Sequence, residues 1–225
     1  KTAFFMSKNI PSKEYLQNLE YYKKMHSEGF DLISGKRRSG SEAYDGHSTL
    51  AFAKLIKDII NKNQIKSMLD YGSGKGFYYE NPFNIKGLNI NSLKDYWDIE
   101  IDLFDPCYEK NSLIDENKLY DLVISIDVLE HIPSQDIGWV LEKIISKARK
   151  FVFLNVACYS AVALLPNGQN AHINVNNPNW WHDKILFLKK KYLNTKIICV
   201  CTIKENGINK YFPLQYDDKI TNYEK

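Results

Sequence analysis

Residues 68–76 read MLDYGSGKG, an apolar pair running into a carboxylate, Asp70, with glycines following at 72, 74 and 76. A buried strand ends this way when the chain must turn sharply beneath a ligand. Glycine tolerates positive φ and, lacking a Cβ, lets backbone sit against a bound group. The spacing G-x-G-x-G is not the dinucleotide fingerprint G-x-G-x-x-G, whose third glycine comes one residue later. It is not a phosphate loop either, because Lys75 is followed by Gly76 and Phe77 rather than by Ser or Thr. Taken alone, these nine residues also read as a plain glycine-rich turn between a strand and a helix.

Outward from this loop, strand and helix patterns alternate. Residues 66–71, 99–104, 119–126 and 151–156 read as strands, the last two as the continuous apolar runs LYDLVISI (119–126) and FVFLNV. Helical spacing marks 12–26 through Tyr15, Leu16, Leu19, Tyr22 and Met25, with Gly29 to close it. Ser48 reads as the N-cap of a second helix with Leu50, Ala53, Leu55, Ile56, Ile59 and Ile60 on its apolar face. Further helices are expected over 135–148 and 180–190, and strands over 197–202 and 211–214. Residues 81–98 show little periodicity. The asparagine-rich segment 157–179 is too long for an ordinary connection, and such loops are often functional. Alternation of this kind predicts an α/β fold with a mainly parallel sheet and helices on both faces. The two last strands, close in sequence, predict an antiparallel pair at the sheet's far edge.

The 225 residues suit one domain with one sizeable core. Thirty basic against 27 acidic residues leave a net charge of +3, too mild to argue for nucleic acid. Four scattered cysteines without a C-x-x-C pair read as free thiols of a reducing cytoplasm. No apolar run reaches the roughly 20 residues needed to span a bilayer. The opening KTAFFMSK has no signal-peptide core and reads as the cut start of a longer chain.

The second strong signal is Asp127-Val128-Leu129-Glu130-His131-Ile132-Pro133, directly after the most apolar strand. With MLDYGSGKG before it, DVLEHIP resembles the motifs of the class I S-adenosylmethionine-dependent methyltransferases, over roughly residues 48–202. That resemblance implies a Rossmann-like doubly wound sheet with an antiparallel last strand and a helical N-terminal extension. It makes 1–225 one methyltransferase domain, with 1–47 covering the cofactor site and 157–181 forming an acceptor-side loop. It assigns S-adenosylmethionine to Asp70, Tyr71, Gly72, Ser73, Gly74, Gly76, Asp105, Pro106, Asp127 and Val128. Asp105 is placed on the ribose hydroxyls, since a carboxylate can accept both hydroxyl protons; Asp102 is its rival, and Asp105-Pro106 as a plain turn is the alternative. Only about 15 residues separate Asp105 from the next strand, so the usual intervening strand and its adenine-contacting acid look shortened or missing. Tyr108, Leu113 and Ile114 are candidates for an adenine slot.

Asp127, Glu130 and His131 fall at i, i+3 and i+4, one face if a helical turn begins there. With His172 in the long loop they resemble the E-x-x-E-H…H metal set of small-RNA 2′-O-methyltransferases, which implies Mg²⁺ or Mn²⁺ at these four positions. His131 or His172 as a metal-free general base, and purely structural roles, stand beside that reading. Trp180 and Trp181 are candidates for the acceptor-pocket wall or for the core. Lys36, Arg37 and Arg38 reach an anionic ligand or form a solvated loop.

The resemblance implies a cytoplasmic enzyme that methylates oxygen of a small acceptor, sugar-like or anionic, of the kind found among surface-polysaccharide precursors. RNA methylation is the alternative enzyme; against it stand the modest charge and the lack of a basic, aromatic-interleaved platform. A cofactor-binding module without catalysis is the third expectation. No membrane partner is expected, and the oligomeric state stays open.

Overall fold

The structure, a computed structural model, describes residues 10–85 and 87–216; the opening KTAFFMSK lies outside them. The chain begins with helix α1 (Lys13–Glu28), followed by the two-residue strands β1 (Phe30–Asp31) and β2 (Arg37–Arg38), which pair antiparallel. Helix α2 (Ala53–Asn63) leads into β3 (Ser67–Tyr71) and the glycine loop. Next come a small hairpin, β4 (Phe83–Ile85) with β5 (Leu88–Ile90), and the short helix α3 (Leu93–Trp97). The remainder alternates: β6 (Glu100–Phe104), β7 (Tyr120–Ile126), α4 (Ile137–Ser146), β8 (Ala148–Ala157), α5 (Pro178–Lys189), then β9 (Lys196–Glu205) and β10 (Ile208–Gln215).

Six strands form the main sheet in the order β6-β3-β7-β8-β9-β10. All neighbours are parallel except β9 and β10, the antiparallel edge pair expected from sequence. Side chains alternate between the two faces, as the period of a strand requires. Leu69, Val123, Val152 and Leu154 pack with α4 and α5 on one face. Met68, Leu122, Ile124 and Phe153 pack with α2 and α3 on the other. With both faces covered, β7 and β8 need continuous apolar runs, which is what made them legible.

Local chemistry sets the helix starts. The Ser12 hydroxyl caps α1 by accepting from the Tyr15 N–H at 3.0 Å and itself donates to Asp136 at 2.5 Å, tying α1 to the start of α4. Gly29 ends α1 at φ +84°, where a Cβ would lie 2.0 Å from the Arg38 carbonyl oxygen. Ser48 does not cap α2. A 3₁₀ stretch (His47–Phe52) precedes that helix, and the Ser48 hydroxyl donates instead to Asp127 at 2.8 Å. Residues 81–98 hold the hairpin and α3, whose Ser92 cap and buried Leu93 and Trp97 fasten it to α2 through a Trp97 indole bond to the Ala53 carbonyl. Between β6 and β7 the described residues hold only a 3₁₀ turn (Glu109–Asn111), so β6 is an edge.

Candidate functional site

At the carboxyl end of β3 the three loop glycines adopt φ +89°, +58° and +62°. A Cβ on Gly72 would lie 2.3 Å from a Val128 methyl, on Gly74 2.4 Å from the Tyr44 carbonyl oxygen, and on Gly76 2.5 Å from a Leu103 methyl. The glycines therefore make room for the chain's own neighbours. The loop's N–H groups are also engaged. Those of Gly72 and Ser73 donate to the Phe104 carbonyl, that of Gly74 to Asp105 at 2.9 Å, and that of Lys75 to the Tyr44 carbonyl.

Asp105 thus clamps the loop, and its other oxygen accepts from the Cys107 N–H at 2.8 Å. Burial raises its pKa against the pull of the N–H groups of Cys107, Gly74 and Tyr108. Asp70 lies beneath the loop, only 1% exposed, and accepts from the Tyr79 hydroxyl at 2.7 Å. Burial pushes its carboxyl up to about 7.

The end of β7 builds a second group. Asp127 sits at φ +60° and is followed by a 3₁₀ turn (Leu129–His131). The two acids that sequence spacing put on one helical face stay near enough to interact, but only Asp127 joins the histidines. Asp127, His131 and His172 bring ligand atoms within 4.8 Å of one another. Glu130 is fully buried outside this trio, where it accepts from the Ala157 N–H at 2.6 Å. Burial, with Asp127 nearby, raises the Glu130 pKa well above the usual range, so it is held as a neutral acid.

Backbone carbonyls set the protons of both imidazoles. His131 Nδ1 lies 2.9 Å from the Ala171 carbonyl oxygen, which can only accept, so Nδ1 carries the proton. The Tyr22 hydroxyl, 2.6 Å from the same nitrogen, donates to that carbonyl at 3.0 Å. His172 Nδ1 meets the Tyr159 carbonyl at 2.6 Å in the same way. The lone pair of each ring is thereby on Nε2. Burial and the neighbouring His172 lower His131 to about 4, and burial lowers His172, so both rings are neutral at pH 7. Burial would raise Asp127, but His131, the Ser48 hydroxyl, the Glu130 side chain and His172 hold it below the usual carboxylate range. Two neutral imidazoles oriented by backbone carbonyls beside an ionised carboxylate are a donor set that fits a divalent ion.

One cavity of about 390 Å³ joins the two groups. Tyr71, Gly72, Ser73, Gly74, Asp105, Pro106 and Val128 line it, and so do Asp127, His131 and His172. Tyr15, Asn18, Leu19, Tyr22 and His26 of α1 line it as well, and so do Arg38 and Lys204. The volume is in the range of small-molecule sites.

Several expected residues are elsewhere. Asp70, Glu130 and Gly76 do not line this cavity. Gly76, Tyr108, Leu113 and Ile114 line a separate cavity of about 490 Å³ beside β6. Trp181 is core, fully buried, with Trp180 packed against that core. Arg37 pairs with Asp31 at 2.7 Å. Of the basic loop only Arg38 reaches the cavity, resting over the Phe30 ring. The resemblance put segment 1–47 over the cofactor site without naming its α1 residues, and it left Ser48, Tyr159 and Lys204 unassigned. The available signal was Asn18 and His26, polar residues on the otherwise apolar stripe of α1.

No family model, curated protein or solved structure matches the chain. The site therefore rests on its own geometry. No helix among the described residues is long and apolar enough to cross a membrane.

Proposed function

We propose that the chain is an S-adenosylmethionine-dependent methyltransferase of Rossmann-like fold. Its acceptor is the hydroxyl oxygen of a small metabolite, sugar-like or phosphorylated as in surface-polysaccharide precursors, and Asp127, His131 and His172 hold an assisting divalent ion. The observation that carries this reading is one cavity lined both by the glycine loop with Asp105 and by the Asp127–His131–His172 group. The two motifs that prompted the resemblance thus line one space of small-molecule size.

When bound, the sulfonium cofactor supplies an electrophilic methyl group, and the ion supplies positive charge that lowers the pKa of an acceptor hydroxyl. The chain's own part is positional. Asp105 holds the glycine loop in shape, and Ala171 and Tyr159 aim the two Nε2 lone pairs. Two nitrogen donors suit Mn²⁺ better than Mg²⁺, which prefers an all-oxygen shell. Without an ion, the same lone pairs are placed to take the hydroxyl proton as a general base. Arg38 and Lys204, the latter 4.1 Å over the Tyr159 ring, bring positive charge to the cavity and favour an anionic acceptor.

The test is calorimetric titration with S-adenosylhomocysteine, followed by transfer of labelled methyl from S-adenosylmethionine to a panel of sugars and sugar phosphates, with and without chelator. Micromolar binding and chelator-sensitive labelling of a sugar phosphate are expected. Absence of cofactor binding overturns the reading; full turnover after exhaustive chelation removes the ion from it.

A further inference from the structure

Lys204, near the end of β9, lines the main cavity and holds its ammonium 4.1 Å over the Tyr159 ring. That ring is 5.8 Å, centre to centre, from His172, which in turn is 4.8 Å from His131. The ammonium is thus one aromatic ring away from the metal-compatible trio. Burial lowers the His172 pKa, and the nearby Lys204 charge adds to that. Among the described residues no carboxylate pairs with Lys204, and the adjacent Glu205 pairs with Lys210 instead. The two other acids that line the cavity are engaged elsewhere, Asp45 with the His47 N–H and Asp105 with those of Gly74 and Cys107.

Charge says what this lysine is for. Without an ion, Lys204 and the ionised Asp127 offset each other, and Glu130 is neutral. A divalent ion on the trio adds two positive charges, and neutral imidazoles bring nothing to offset them. Two uncompensated charges in a partly desolvated cavity are costly. The group that cancels both is a dianion.

We propose that Lys204 grips a phosphate monoester carried by the acceptor itself, on the same sugar ring as the hydroxyl to be methylated. This rests on the methyltransferase reading above. A phosphate monoester is mostly dianionic at pH 7, and lysine meets it as a compact point charge. The face of Tyr159 holds the ammonium by cation–π attraction, while its carbonyl holds His172. One residue therefore sets the spacing between phosphate and ion. At one aromatic ring, that spacing is too short for a phosphate carried on a second sugar. Uronic acids, with a single charge, leave half of the excess in place.

The experiment is calorimetric titration of Mn²⁺ into wild type, Lys204→Met and Arg38→Met, each alone, with methyl phosphate and with acetate. In wild type, methyl phosphate is expected to tighten Mn²⁺ about tenfold, and Mn²⁺ to tighten methyl phosphate by the same factor. Lys204→Met should bind Mn²⁺ alone no more weakly than wild type, since a repelling charge is gone, and should lose that gain. Equal gains in wild type and Lys204→Met overturn the proposal. So does an equal gain from acetate, a loss confined to Arg38→Met, or a wild type that binds no Mn²⁺. Transfer of labelled methyl to hexoses, hexose monophosphates and disaccharide phosphates tests the spacing. Lys204→Met should raise KM for the accepted hexose monophosphate about tenfold or more, with kcat little changed. A disaccharide methylated on the ring that lacks its phosphate removes the one-ring spacing. If wild type and Lys204→Met bind S-adenosylhomocysteine alike and label neutral hexoses as well as their phosphates, this proposal falls while the methyltransferase reading stands. If the wild type does not bind S-adenosylhomocysteine, both fall.

Discussion

The glycine loop and the Asp127–His131–His172 group line one cavity, yet they are built on opposite terms. The loop's hydrogen-bonding capacity is spent internally: its glycines accommodate Val128, Tyr44 and Leu103, and its N–H groups bind Phe104, Asp105 and Tyr44. The trio keeps its chemistry open, with two imidazole protons anchored on carbonyls so that both Nε2 lone pairs stay free. A change in the loop should therefore register as lost stability, and a change in the trio as lost ligand affinity. The largest effect that can break this contrast is His131→Ala. It is expected to weaken Mn²⁺ about a thousandfold or more, about 4 kcal/mol, with little change in unfolding midpoint. Unchanged Mn²⁺ affinity in a calorimetric titration would take the ion away from these residues.

The loop side gives the converse. Gly72→Ala must hold a Cβ at φ +89° and 2.3 Å from Val128, so it should lose about 3 kcal/mol in urea unfolding. Gly168→Ala is the control, since at φ +83° it meets nothing within 4 Å and should cost only the backbone strain of about 1 kcal/mol. Equal losses at the two glycines would show that close approach to Val128 is not what fixes residue 72.

The same contrast governs what the sequence disclosed. Continuous apolar runs made β7 and β8 legible, because strands buried on both faces have no polar alternation to hide. The hairpin and α3 were illegible: three-residue strands and a five-residue helix are too short to show a period, and they stand on the Ser92 cap and Trp97. At the site, Asp127 and Glu130 looked alike because helical spacing was assumed. With left-handed backbone at Asp127, that carboxylate lines the cavity while Glu130 is buried against Ala157, the two still near enough to interact. The resemblance put 1–47 over the cofactor site, yet the cavity-lining residues of α1 were hidden for another reason. Its periodicity reports which face is covered, not whether core or cavity does the covering.

Asp70 allows a pH test of the loop's foundation. Its carboxyl is pushed up to about 7 in the folded protein by burial, against about 4 when unfolded. Between those values the folded state holds a proton that the unfolded state has released. The stabilising contribution is therefore fully present below about pH 4 and is lost as pH rises through about 7. Asp70→Asn has no such proton. Relative to that variant, wild type should lose about 2–3 kcal/mol between pH 5 and pH 8, read from urea midpoints at each pH. A constant difference across the range would mean that Asp70 is ionised throughout.

The smallest effect sharpens the contrast most finely. The Tyr22 hydroxyl lies 2.6 Å from His131 Nδ1 and donates to the Ala171 carbonyl, while its ring packs edge-on against Tyr44 and His131. Tyr22→Phe keeps that packing and leaves Ala171 to hold the imidazole proton alone. Such partners of metal-ligating histidines are worth roughly 10–100-fold in affinity. Because Ala171 remains, the lower end is expected: about a tenfold weaker Mn²⁺ affinity, about 1.4 kcal/mol, with unfolding little changed. Nitrogen-15 spectra of His131 should still show the proton on Nδ1, but with a growing fraction of the other tautomer. If Tyr22→Phe instead lowered stability and left ion affinity and tautomer alone, α1 would belong with the glycine loop as scaffold, and the division between loop and trio would have to be redrawn.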